Sequence, residues 1–237
     1  MSCVGWHVAV LIPARDEELL LPRCLRSVQL ACLRLPQGIT TDIVVVSDGS
    51  QDRTHAIAEE LLQGTGTAVA TNGHGVGSAR ACAATTALRR YNGSRRRCWL
   101  ANTDADCEVP ADWLLDQVAL ARRGFVAVAG IIDVDSFVEH ELHVKDSFRR
   151  SYRIQSDGWH PHVHGANMGI RADAYLRAGG WASLLTAEDH DLWRRLESCG
   201  GRRLADATLQ VLTSGRREGR APLGFAAALA AHNGTAA

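Results

Sequence analysis

Lysine is nearly missing from this chain: among 26 basic residues, Lys145 is the only one that is not arginine. That excludes a lysine-bearing phosphate loop and makes Schiff-base chemistry a poor reading, so phosphate must be held by arginine, backbone or metal. Net charge is missing too, with 26 acids against 26 bases. Nothing favours a nonspecific grip on a polyanion, and nucleic acid is not an expected partner. No apolar run approaches the roughly 20 residues of a membrane helix, and no basic region followed by a long apolar stretch opens the chain. The expectation is a soluble protein without a transmembrane segment, which leaves peripheral membrane contact open. The seven cysteines show neither a Cys-x-x-Cys pair nor zinc-knuckle spacing. An odd, dispersed set reads as reduced thiols in the cytoplasm.

What is present is enough apolar sequence, 46% of 237 residues, for one substantial core. Val8 to Ile12 and Ile43 to Val46 are wholly apolar runs, the pattern of parallel strands covered on both faces. Helical spacing follows each, from Glu17 to about Leu30 with acids in the first turn, and from Asp52, read as a cap, to about Leu62. Thr67 to Ala70 is a weaker strand, a glycine-rich loop spans Asn72 to Gly77, and a helix runs from Ser78 to Arg90. Strand Cys98 to Ala101, helix Asp112 to Arg122 and strand Phe125 to Ile132 complete an α/β alternation, which predicts a mostly parallel, helix-covered sheet. Beyond Asp133 the rhythm weakens in a segment rich in charge, histidine and aromatics, expected to build a substrate-facing lobe. Helical spacing resumes over Arg171 to Ala178, over Glu188 to Ser198, and after Pro222 towards a frayed end from Asn233.

The chemistry concentrates where strands stop. Asp104 and Asp106 follow the fourth strand, Asp48 the second, and Arg15, Asp16 and Glu17 the first. Parallel strands bring such ends to one edge, where open α/β sheets place their ligands. Two carboxylates about 5 Å apart at an effective dielectric of about 20 repel by roughly 3 kcal/mol, a penalty that a hard divalent cation removes. An isolated Asp-x-Asp reads first as a solvated turn. In company with the other acids and arginines, it suits a substrate carrying a diphosphate.

Six ordered motifs carry a resemblance. Ile12-Pro13-Ala14-Arg15-Asp16-Glu17-Glu18, Val46-Ser47-Asp48-Gly49-Ser50 and Thr103-Asp104-Ala105-Asp106 resemble the family 2 glycosyltransferases, which have the GT-A fold. Gly165-Ala166-Asn167-Met168-Gly169, with Gly179-Gly180-Trp181 and Glu188-Asp189-His190-Asp191, extends the likeness to about residue 200. The resemblance implies a Rossmann-like central sheet in one domain, with a nucleotide-sugar-binding half over about 1–132, an acceptor-side catalytic half over about 133–220, and a C-terminal helix and tail over 221–237. It implies that Pro13, Ala14, Arg15, Glu17 and Asp48 line the base and ribose pocket, that Asp104 and Ala105 lie near the ribose, and that Asp106, with Asp104, holds Mg²⁺ or Mn²⁺ beneath the diphosphate. His74 and Arg80 are candidate donor contacts, and UDP is preferred over GDP on family frequency. Asp189 is the expected general base of an inverting, non-processive transfer to a small-molecule, lipid-linked or peptide hydroxyl, with Glu188 as runner-up.

Each assignment has a plainer reading beside it. A carboxylate at Asp189 can be a helix cap, Asp191 reads as structural, and the glycine-rich loop misses the dinucleotide fingerprint. His160, His162 and His164 share a face if extended, but read first as surface histidines; neither His164 nor His232 is assigned to the metal. Arg216, Arg217 and Arg220 are either a solvated loop or a lid over the diphosphate. Competing functions are a catalytically silent nucleotide-sugar-binding protein and a haloacid-dehalogenase-type phosphohydrolase, for which Lys145 is the sole possible lysine.

Overall fold

A computed structural model describes residues 5–184, 186–220 and 224–234. In chain order the elements are β1 (His7–Ala14), α1 (Leu21–Leu33), β2 (Thr40–Asp48), α2 (Thr54–Leu61), β3 (Gly66–Thr71), α3 (Val76–Arg90), β4 (Cys98–Asn102), α4 (Trp113–Arg122) and β5 (Ala127–Val134). They continue with α5 (Val144–Ser151), β6 (Met168–Arg171), α6 (Ala172–Arg177), α7 (Glu188–Ser198), β7 (Arg203–Thr213) and α8 (Phe225–Ala231). Pro222 and the last three residues of the expected frayed tail lie outside the described residues.

One seven-stranded sheet carries the structure in the order β3-β2-β1-β4-β6-β5-β7. Strands β3, β2, β1 and β4 are mutually parallel, whereas β6 runs antiparallel to both β4 and β5. Alternation along β1 divides the core between the two faces. Val8, Val10 and Ile12 point to the side covered by α1, α2 and α4, where they join Leu21, Leu25, Trp99, Trp113 and Leu114. Ala9 and Leu11 point to the other side, under α3, α6 and α7, with Val44, Val46, Ala83, Met168 and Leu192. A smaller cluster of Val144, Phe148 and Leu229 packs α5 against α8.

Three boundaries differ from the sequence expectation. Helix α1 starts at Leu21, not Glu17, and has no acid in its first turn. Asp16 turns the chain through a left-handed conformation at φ 51°, and Pro22, lacking an N–H, is suited to the helix start. Asp52 stands one residue before the N-cap, Arg53; its carboxylate still accepts the Thr54 N–H at 2.9 Å. Arg171 closes β6 instead of opening a helix. Strand β7 and helix α5 were not anticipated: β7 is only half covered, and α5 buries just Val144 and Phe148.

Candidate active site

The ends of β1, β2 and β4 meet around a cleft of about 340 Å³. Its walls include Pro13, Ala14, Arg15 and Glu17 from the first loop, Asp48 and His74 from the second, and Asp104, Ala105 and Asp106 from the third. Residues assigned from separate motifs are therefore neighbours. The far wall, formed by Thr213, Ser214, Arg216, Arg220 and Phe225, comes from the end of β7 and the residues after it.

The loops are sewn together by their own polar groups. Glu17 N–H donates to Thr54 Oγ1 at 2.7 Å, and Glu18 N–H to Asp52 Oδ2 at 3.0 Å. Asp48 performs the same task for the glycine-rich loop. Its Oδ1 accepts from the Thr71 hydroxyl at 2.6 Å and from the N–H groups of Gly73 and His74, and its Oδ2 accepts from Gly75 N–H at 2.8 Å. Burial raises the pKa of Asp48, but these donors outweigh it and leave the group below the usual carboxylate range. Gly75, at φ 92° and ψ 167°, takes the positive-φ extended conformation that glycine allows and that leads into α3.

Glu17 and Asp106 converge on Arg216. The guanidinium makes a bidentate pair with Glu17, at 2.9 Å and 2.5 Å, and reaches Asp106 Oδ2 at 3.0 Å. Burial, and next the charge of Asp104, push Asp106 up to about 7; Arg216 opposes them and Glu17 adds to them. Glu17, Asp104 and Asp106 border the same cleft, and carboxylate oxygens are the donors that Mg²⁺ or Mn²⁺ prefers. Among the described residues no ready cluster of three His, Cys, Asp or Glu ligands exists, so a cation here needs oxygens from its substrate to complete its shell. The acids fit such an ion once Arg216 yields.

Arg80 corrects an expectation. It does not line the cleft; its side chain is 2% exposed, and it bonds Asp104 Oδ1 at 2.6 Å and Gly165 O at 2.9 Å. Its Nε lies 3.5 Å from Glu188, and its plane sits over Trp181. The alanine-rich helix α3 buries this face, so the only arginine on it must take its partners indoors. Gly165 leaves the room, because a Cβ there would lie 2.7 Å from the guanidinium. Arg80 therefore supports the cleft from behind, and His74 remains the basic group of this loop in the cleft wall.

Asp189 occupies the first turn of α7, after Ala187 in a left-handed turn at φ 59°. Its Oδ2 accepts Gly165 N–H at 2.9 Å. The next residue, Ala166, is part of the cleft wall, which places Asp189 beside the cleft without lining it. Glu188 is buried, and burial raises its pKa against the pull of Arg80. Asp191 pairs with Arg194 and Arg195, a structural role.

The three histidines do stack on one face, with centroids 6.0 Å and 6.3 Å apart. They are not all surface groups: His160 is fully buried, because its segment folds onto β7 through the bond from Ala207 N–H to Gly158 O. His164 contacts the Tyr152 hydroxyl at 3.0 Å, and burial lowers its pKa to about 4 against the charge of Asp189. Neither His164 nor His232 lines the cleft. Lys145 is exposed on α5 and does not line the cleft, so it gives the phosphohydrolase reading no support. The anchoring of Arg216 is the feature that sequence reasoning missed; the motif-free loop after β7 gives no sign of which acid it meets.

Comparisons with known proteins bear on the family and the fold. Over 62 residues the chain is 42% identical to an undecaprenyl-phosphate 4-deoxy-4-formamido-L-arabinose transferase of Pseudomonas aeruginosa; the match takes 26% of this chain and 18% of that protein. The fold matches a mannosyltransferase from Pyrobaculum calidifontis solved with GDP-Man and Mn²⁺, with TM-score 0.66 and 21% identity over 95% of this chain and 68% of that one. It also matches S. aureus TarS with UDP-GlcNAc, at TM-score 0.65 and 17% identity over 91% and 60% of the chains. GalNAc-T7 with UDP, GalNAc and Mn²⁺ gives TM-score 0.66 and 18% identity over 91% and 45%. No described helix is long and apolar enough to cross a membrane. The family profile Glycosyl transferase family 2 matches residues 9–177, and the chain, a GT-A glycosyltransferase in fold, belongs to that family.

Proposed function

We propose that this protein transfers one sugar per encounter from a nucleoside diphosphate donor to an acceptor hydroxyl, inverting the anomeric centre. The observation that supports this reading most is the convergence of Glu17, Asp104 and Asp106 in a cleft bordered by Arg15, Arg216 and Arg220. In it, Pro13, Ala14, Arg15 and Glu17 hold the base and ribose, Asp104 and Ala105 the ribose side, and His74 the donor. Asp48 shapes the wall through the glycine-rich loop. Asp106, with Asp104, would hold Mg²⁺ or Mn²⁺, and that ion would neutralise charge growing on the departing diphosphate.

The chain supplies the remaining steps. Asp189, at the start of α7, accepts the proton of the acceptor hydroxyl as its oxygen attacks the anomeric carbon opposite the leaving group. Arginines over the diphosphate exclude water and limit hydrolysis of the donor. We retain a division near residue 132, with the donor before it and the acceptor on the far side. UDP is the preferred nucleotide over GDP. Acceptors to assay are lipid-linked, peptide and small-molecule hydroxyls, and the name of the P. aeruginosa relative adds a polyprenyl phosphate. Peripheral contact with a membrane fits a lipid-linked acceptor, and the dispersed cysteines favour a cytoplasmic location.

Donor turnover with a panel of UDP- and GDP-sugars, with and without Mn²⁺, tests the reading. Metal-dependent transfer or slow donor hydrolysis supports it; tight binding of the donor without either supports a silent binding protein instead.

A further inference from the structure

The loop that carries Arg216 is pinned as firmly as the guanidinium itself. Gly215 N–H donates to Asp135 Oδ1 at 2.9 Å, Gly215 O lies 2.8 Å from His140 Nε2, and Arg217 N–H donates to Glu139 Oε2 at 2.8 Å. Asp135 is in turn held by Arg23, whose other nitrogen reaches Asp106 O at 3.2 Å. A fixed positive charge therefore sits on Asp106, an acid assigned to a divalent cation, and on Glu17 beside it, with Asp104 as a third charge it feels.

We infer that Arg216 sets the order in which the donor site loads, refusing a bare divalent cation and accepting the cation together with a diphosphate; this rests on the reading of the cleft given above. A cation arriving alone must displace the guanidinium from Asp106 and offers it nothing in return. A diphosphate arriving with the cation brings anionic oxygens that match the planar fork of arginine, so Arg216 exchanges carboxylates for phosphate. Discrimination thus lies in the alternative partner available to one side chain. The exchange forms and breaks only ion pairs and hydrogen bonds.

The test is Mn²⁺ binding followed by the electron paramagnetic resonance signal of the free ion, with wild type, Arg216→Gln and Glu139→Ala, each with and without UDP or GDP. Without nucleotide, Arg216→Gln is expected to bind Mn²⁺ roughly tenfold more tightly than wild type, and its gain on adding nucleotide is expected to shrink by a similar factor. Glu139→Ala releases the loop without touching the acids and shifts nucleotide-free binding in the same direction. It stands in should Arg216→Gln fail to fold. Equal nucleotide-free affinities in wild type and the folded variants, with a normal gain on adding nucleotide, overturn the inference and leave the donor-site reading intact. Absence of Mn²⁺ binding by the folded variants under every condition overturns both.

Discussion

Arg80 donates to Asp104 at 2.6 Å while its guanidinium lies against Gly165, whose N–H is bonded to Asp189. One buried arginine thus ties the donor-side acid to the turn before β6 that bonds the proposed base. Removing it leaves Asp104 and the buried Glu188 without their shared counter-charge, and a buried pair broken on one side costs several kcal/mol. Arg80→Leu is expected to destabilise the fold by about 3 kcal/mol, with Arg80→Lys recovering part of it. Gly165→Ala, which forces the guanidinium aside, acts in the same direction. Chemical denaturation of the three variants checks this, and unchanged midpoints contradict it.

Asp189→Asn keeps the shape of the carboxylate and removes its basicity. Under the proposed mechanism, transfer falls by roughly a thousandfold while donor affinity stays within experimental error. A turnover assay paired with donor titration separates the two quantities. Near-normal turnover contradicts the assignment of Asp189 as base.

The pH dependence of Asp106 has a definite sign. Burial and the neighbouring Asp104 raise its pKa to about 7, so the native state holds this proton more tightly than the unfolded chain does. Its contribution to stability is therefore full below the ordinary carboxylate range and is lost as pH rises through about 7. Cation-dependent donor binding needs the carboxylate and moves oppositely, strengthening across the same window. Denaturation and donor titrations at several pH values check both slopes, and Asp106→Asn is expected to flatten them.

Asn167 belongs to the Gly-Ala-Asn motif, yet its bonds are structural. Trp113 Nε1 donates to its Oδ1 at 2.9 Å, and its Nδ2 donates to the carbonyls of Ile131 and Leu209 at 2.8 Å and 2.9 Å. Asn167→Ala leaves these buried partners unpaired and is expected to cost about 2–3 kcal/mol. For a chain of this length that lowers the melting temperature by roughly 2–4 °C per kcal/mol, measurable by calorimetry.

The sequence makes the donor side of this fold legible because β1, β2 and β4 are apolar runs that stop at carboxylates. Helices α3, α4 and α7 show their inward faces as repeating apolar positions. Legibility fails where a residue's partner is far away in the chain. Glu17 looks like a first-turn acid until Arg216, 199 residues distant, is seen to hold it. Arg80 looks like a donor contact until Asp104 and Gly165 are found around it. The four-residue β6 is too short for any periodicity, and its direction is set by pairing with β4 and β5, which local sequence does not encode.

The account stands on acids from separate strand ends gathering to bind a cation under a nucleoside diphosphate. Calorimetric titration of UDP and GDP into wild type and Asp106→Asn, each with and without Mn²⁺, tests it most directly. Affinity for one nucleotide is expected to rise with Mn²⁺ by about tenfold or more in wild type and to lose that rise in Asp106→Asn. Nucleotide binding that ignores both the metal and the substitution would contradict it.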